Sequence, residues 1–152
     1  MTGLFETLSA AIRAEEPVAL AEVVEVGEEV PAGWLGAKLL VRPGPPVEAL
    51  GTLGDPDLDR VVTRDALGEL SAGLTATRHY GLHGEARARD LSVFIESFAP
   101  PPRMIIFGAV DFTAALAKVG KVLGYRVTVC DARPVFATRA RFPMADEVVV
   151  AW

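Results

Sequence analysis

The sequence predicts an α/β chain in two parts, a small α+β unit followed by a unit built on a parallel βαβ core. Three observations carry the prediction. In the first hundred residues, two stretches place apolar residues at helical spacing, and short runs rich in Val, Leu and Ile lie between and after them. A proline run at 99–102, Ala-Pro-Pro-Pro, then interrupts the chain where neither a helix nor a central strand can continue. Beyond it, strand-like and helix-like segments alternate, the pattern of a parallel sheet with crossover connections. The two units are therefore expected at 1–99 and 100–152.

Each element has a local reason. The opening GLFETLSAAIRAEEP sets Leu4, Phe5, Leu8, Ala11 and Ile12 on one helical stripe, and Pro17 ends that helix. VALAEVVEV alternates as a strand from Val18 to Val26, and AKLLVRP and PVEALG supply two more strands about a Pro-Gly-Pro-Pro turn. A second helix is expected from Pro56 to Leu70. Proline suits its first turn, Asp57 and Asp59 sit at its positive end, and Leu58, Val61, Val62, Ala66, Leu67 and Leu70 share a face before Gly73 stops it. LTATRHY and DLSVFIESF read as a hairpin pair across the polar GLHGEARAR, with Leu91, Val93 and Ile95 inward and Glu96 outward. After the prolines, MIIF is a strand, Asp111 to Leu123 a helix stopped by Gly124, YRVTVC a strand, VFATRA a helical turn and EVVV a third strand.

Composition excludes several classes of function. Half of the 152 residues are hydrophobic, enough for a core, while a net charge of −5 offers no basic footprint for nucleic acid or an anionic membrane. No uninterrupted apolar run approaches the roughly 20 residues that cross a bilayer. The lone Cys130 rules out an internal disulfide framework, and the N-terminus lacks the order of a signal peptide, so a cytoplasmic setting is expected.

Chemistry concentrates in RMIIFGAVDFT, residues 103–113. A dinucleotide fold wants glycines for the tight turn, for the approach of backbone to pyrophosphate and for helix packing; those places hold Gly108, Val110 and Thr113. One of three is met. An acidic residue about 20 positions on, closing the second strand, takes a ribose hydroxyl in such folds, and Asp131 stands there in CDARP. Val110 crowds the phosphate position and Asp111 brings a carboxylate to the helix start, where an N-cap role explains it. The segment thus reads as a Rossmann-like scaffold with an altered cradle, and NAD(P) binding is the weaker alternative. Arg133 is a candidate contact for a phosphate or acidic ligand, whereas Arg139 and Arg141 read as solvated. Cys130 reads as buried packing, His79 and His83 as a hairpin tip rather than a metal pair, and Asp55, Asp57 and Asp59 as helix-start charge rather than a calcium loop.

In combination, GAKLLVR, GTLGDPDLDR, the glycine loop leading to a helix, and LGYRVTVCDARP followed by RFPMADEVV resemble the XdhC/CoxI family over nearly the whole chain. The resemblance implies an accessory protein of molybdenum hydroxylases such as xanthine dehydrogenase and carbon monoxide dehydrogenase. Such a chaperone binds the molybdenum cofactor and assists its sulfuration and insertion. Carried onto this chain, the cofactor-binding candidates are Gly51, Gly54 and Asp55 in the first unit and Gly108, Asp111, Asp131 and Arg133 in the second, with no catalytic residue and no metal ligand assigned. Two departures accompany the resemblance. Where many members carry Gly-Gly-Gly-Cys, this chain has Gly54, Asp55, Pro56 and Asp57, so no thiol acts there. Members also continue well past the strand that precedes Trp152, so the chain reads as truncated within its Rossmann-like part, and a homodimer through the incomplete sheet is expected. Two rivals stand beside this reading: a nicotinamide-dependent oxidoreductase using Gly108, Asp131 and Arg133, and a pure interaction module for a molybdenum-containing dehydrogenase.

Overall fold

A computed structural model describes residues 3–151; Trp152, where truncation is expected, lies outside them. The chain divides into two compact units, Met1–Pro100 and Pro101–Trp152. Among the described residues no helix is long and apolar enough to cross a membrane.

The first unit is a five-stranded antiparallel sheet with a helix on each face. Its strands are β1 (Val18–Val26), β2 (Lys38–Arg42), β3 (Glu48–Thr52), β4 (Ala76–Tyr80) and β5 (Leu91–Phe98), in the order β3-β2-β1-β5-β4. Register decides which side chains share a face: Ala19 lies opposite Val41 and Ala21 opposite both Leu39 and Ile95, while Leu20 lies opposite Leu40 on the other side. Helix α2 (Pro56–Ala72) covers the first face, burying Leu58, Val62, Ala66 and Leu70 against Ala19, Val41, Val93 and Ile95. Fully burying an aliphatic side chain of this kind contributes about 1.5–3 kcal/mol. Asp55 caps the helix and Gly73, at φ +66°, closes it in the left-handed conformation that glycine adopts without penalty.

Helix α1 (Gly3–Arg13) packs on the opposite face over Val18 and Leu40. Only Leu4, Leu8 and Ala11 turn inward. Phe5 and Ile12, expected on the buried stripe, are exposed by 76% and 45%. The apolar strip beneath α1 is narrow, so spacing i, i+4, i+7 fills it and the flanking residues fall outside. The helix also stops at Arg13, four residues short of Pro17, with a left-handed turn at Glu15.

The second unit is a three-stranded parallel sheet in the order β6-β7-β8, from β6 (Arg103–Phe107), β7 (Arg126–Asp131) and β8 (Glu147–Val150). Helix α3 (Thr113–Val122) links the first two strands, and the second crossover is made of turns. The buried cluster comprises Ile106, Ala109, Ala117, Val127, Val129, Phe142 and Ala145. Gly120 sets the close approach of helix to sheet: a Cβ there would meet Met104 Sδ and Val127 Cγ2, each at 2.9 Å. On β6, Ile105 and Phe107 alternate with these inward residues and are exposed.

Candidate functional site

At the carboxyl ends of β6 and β7, the second unit forms a cavity of about 460 Å³ that brings together Phe107, Gly108, Cys130, Asp131, Arg133 and Ala151. Open parallel sheets hold ligands in the crevice outside the carboxyl ends of their strands. Gly108 stands at φ +105°, and space is open where a Cβ would project.

The loop after β6 is secured by the protein itself. Gly108 N–H donates to the Cys130 carbonyl at 2.8 Å, Ala109 N–H donates to Asp131 Oδ2 at 2.7 Å, and Thr113 Oγ1 donates to the Gly108 carbonyl at 2.6 Å. Asp131 Oδ1 also accepts from the Arg133 amide and Nε, each at 2.9 Å, and Oδ2 from the Arg133 guanidinium at 2.9 Å. Each oxygen therefore holds two donors, its full complement. The Arg133 guanidinium, then the Ala109 and Arg133 amides, hold the Asp131 carboxyl far below the usual carboxylate range. Asp131 sits where a ribose-binding acid belongs, yet its acceptor positions already brace the glycine loop.

Arg133 lies 4.4 Å from the Phe136 ring centroid, a cation–π contact that keeps the guanidinium against the turn while part of it faces solvent. Arg141, read as solvated, instead donates to the Ala109 carbonyl at 3.0 Å and lies 3.6 Å from Asp111. Arg139 likewise donates to the carbonyls of Ala145 and Asp146. The expected N-cap at Asp111 is corrected. The cap residue is Phe112, which makes no side-chain capping bond; the helix begins at Thr113, and the Asp111 carboxylate projects into solvent, outside the cavity lining. Thr113 N–H instead bonds the Val110 carbonyl, and this turn takes up the residues expected to begin the helix. Cys130 is buried, its thiol donating to the Ala151 carbonyl at 3.4 Å.

In the first unit, Gly51 lies within β3 and Gly54 and Asp55 lie between β3 and α2, and each has a local task. At φ +100°, a Cβ on Gly51 would overlap the Lys38 carbonyl, and at φ +122° one on Gly54 would overlap the Trp34 indole. Asp55 Oδ1 accepts from the amides of Asp57 and Leu58 at 3.0 Å each, and Oδ2 meets His83 Nδ1 at 3.0 Å. The Leu58 amide first, then His83 and the Asp57 amide, hold the Asp55 carboxyl below its ordinary value, while Asp55 raises that of His83. The Leu53 amide donates to Asp59 and the Gly54 amide to Thr52. His79 and His83 do not converge: His79 Nδ1 meets Ser92 Oγ at 3.0 Å. Among the described residues no group of three or more His, Cys, Asp and Glu is placed to hold a metal ion.

Sequence reading missed the ties made by Arg141 and His83, which join positions 32 and 28 residues apart and leave no periodic trace.

A Rossmann-like parallel unit with a ligand-sized cavity at its strand ends, preceded by an antiparallel α+β unit, defines a class of two-part proteins. Its membership is specific. The XdhC and CoxI family model matches residues 11–81 and the XdhC Rossmann domain model matches residues 104–152, and the chain belongs to the XdhC and CoxI family. It is 30% identical over 95 residues to a Bacillus subtilis (strain 168) protein named as a probable subunit of xanthine dehydrogenase, a match covering 52% of this chain and 29% of that protein. The chain thus spans under a third of that curated relative. A crystal structure described as a xanthine dehydrogenase from Bacillus halodurans is 17% identical, covering 96% of this chain and 67% of that one, with a TM-score of 0.39.

Proposed function

We propose that the chain serves as an accessory factor to a xanthine dehydrogenase-type molybdenum hydroxylase, binding the molybdenum cofactor and assisting its sulfuration and insertion. The observation that carries the reading is membership: both parts of the chain match XdhC family models, and a curated relative is named as part of a xanthine dehydrogenase. The group itself supplies the molybdenum chemistry of the hydroxylase. This chain's residues would hold it. The cavity at Gly108 fits such a group in kind: Phe107 and Ala151 offer apolar surface to a pterin ring, the missing Cβ of Gly108 leaves room, and Arg133 offers a guanidinium to phosphate. Asp131 would position Arg133 and the loop rather than touch the ligand, with Asp111 outside the cavity. Gly51, Gly54 and Asp55 are the candidates in the first unit.

Titration of the chain with isolated molybdenum cofactor tests the proposal. Saturable binding weakened about tenfold by Arg133→Gln is expected; a folded chain that takes up no cofactor would overturn it. The alternative, NAD(P) binding, draws on the strand, Gly108, helix and Asp131 arrangement, but the filled acceptor positions of Asp131 argue against a ribose contact. Calorimetry with NADH and NADPH separates the two, because only a dinucleotide site gives heat with either.

A further inference from the structure

Strand β4 is an outer strand of the five-stranded sheet, and the segment 81–90 folds back beside it. There lies a cavity of about 400 Å³ whose charged and polar lining is Asp65, Arg78, His79, Tyr80, Arg87 and Arg89. The acids around it are already matched. Asp65 accepts from the Arg64 guanidinium at 3.2 Å through one oxygen and from the Tyr80 hydroxyl at 3.0 Å through the other. Glu69, buried, is joined to Arg78. The carboxylates of the segment itself, Glu85 and Asp90, accept from the amides of His83 and Leu82. Arg87 and Arg89 are exposed, and among the described residues neither is hydrogen-bonded or ion-paired.

The His79 side chain faces the other way: residues alternate along β4, Arg78 reaching Glu69 and Tyr80 reaching Asp65 on the α2 face, while His79 Nδ1 meets Ser92 Oγ at 3.0 Å on the opposite one. A cavity in a chain of net charge −5 thus holds two uncommitted guanidinium groups and a third neutralised by a buried acid. Guanidinium pairs match tetrahedral oxyanions with forked hydrogen bonds, and a cavity of this size lies within the small-ligand range rather than that of an added strand.

We propose that this groove binds a phosphate dianion, free or as the end group of a small ester, with Arg87 and Arg89 as the primary contacts and Arg78 behind them. The site belongs to the first unit alone and stands or falls separately from cofactor binding at Gly108. The test is an NMR titration of the full chain at low ionic strength with inorganic phosphate in one arm and phenyl phosphate in the other, following the arginine side-chain signals. Saturable shifts at Arg87 and Arg89 are expected, with affinity reduced at least about tenfold in Arg87→Gln/Arg89→Gln and unchanged in Arg60→Gln. Tighter binding of phenyl phosphate assigns the site to an ester, and equal or tighter binding of inorganic phosphate to the free ion. The proposal is overturned by the absence of saturable shifts with both probes, by an affinity indifferent to the double substitution, or by binding of an acidic peptide where neither phosphate binds. Should the double variant fail to fold, the wild-type shifts at these two side chains decide the matter alone.

Discussion

Asp131 illustrates how one side chain changes meaning between sequence and structure. Its place at the end of β7 was legible from spacing, but its partners were not, because Ala109 N–H arrives from a loop 22 residues away. The folded carboxyl lies below the ordinary value of about 3.9, so the sign is fixed: its stabilisation is complete above that range and is lost as pH falls through the folded value. Asp131→Asn is therefore expected to lower the denaturation midpoint most at neutral pH, with the gap to wild type narrowing below about pH 4. A gap independent of pH would refute the charge-based account. The same scale explains Gly54, whose positive φ and contact with Trp34 leave no room for a Cβ. Gly54→Ala should cost roughly 2–5 kcal/mol by denaturant unfolding, combining backbone strain with overpacking. Gly33→Ala, with nothing within 4 Å of the added atom, should stay within about 1 kcal/mol.

Among the elements, α2 was the most readable, since proline, acids, stripe and terminal glycine agree, and the structure extends it only from Leu70 to Ala72. Helices α1 and α3 were legible as helices and not in their limits. The stripe of α1 depends on the width of the sheet beneath it, and the start of α3 depends on a turn held by Thr113 and Val110. The segment after β4 is tied to the start of α2 by His83 and Asp55, a pair that raises the histidine's proton affinity. A raised histidine contributes fully below its unfolded value of about 6.5 and loses that contribution as pH rises through the folded one. His83→Gln should then abolish any change in amide-exchange protection of residues 81–90 on raising the pH past neutrality, after correction for intrinsic exchange. Persistence of that change in the variant would show that another group is responsible.

For the whole molecule, each unit has its own buried cluster, one centred on Leu58, Val62 and Ile95 and the other on Val127, Val129 and Phe142. Separate cores predict separate cooperative transitions. Leu58→Ala, leaving a cavity worth about 2–5 kcal/mol, should lower one transition in calorimetry, and Gly120→Leu, forcing α3 off its sheet at about 1–3 kcal/mol, the other. A single transition displaced by both would contradict the prediction. By itself the sequence determined the kinds of element, their order and the antiparallel and parallel parts, because periodicity, prolines and turn glycines act over a few residues, while the family was legible only through the resemblance of its motifs. Only the tertiary structure decided which groups meet: Asp131 with Ala109, Arg141 with the same loop, His83 with Asp55, and Arg87 and Arg89 beside β4. Those juxtapositions depend on register and chain reversal, which bring together residues whose separation along the chain carries no pattern.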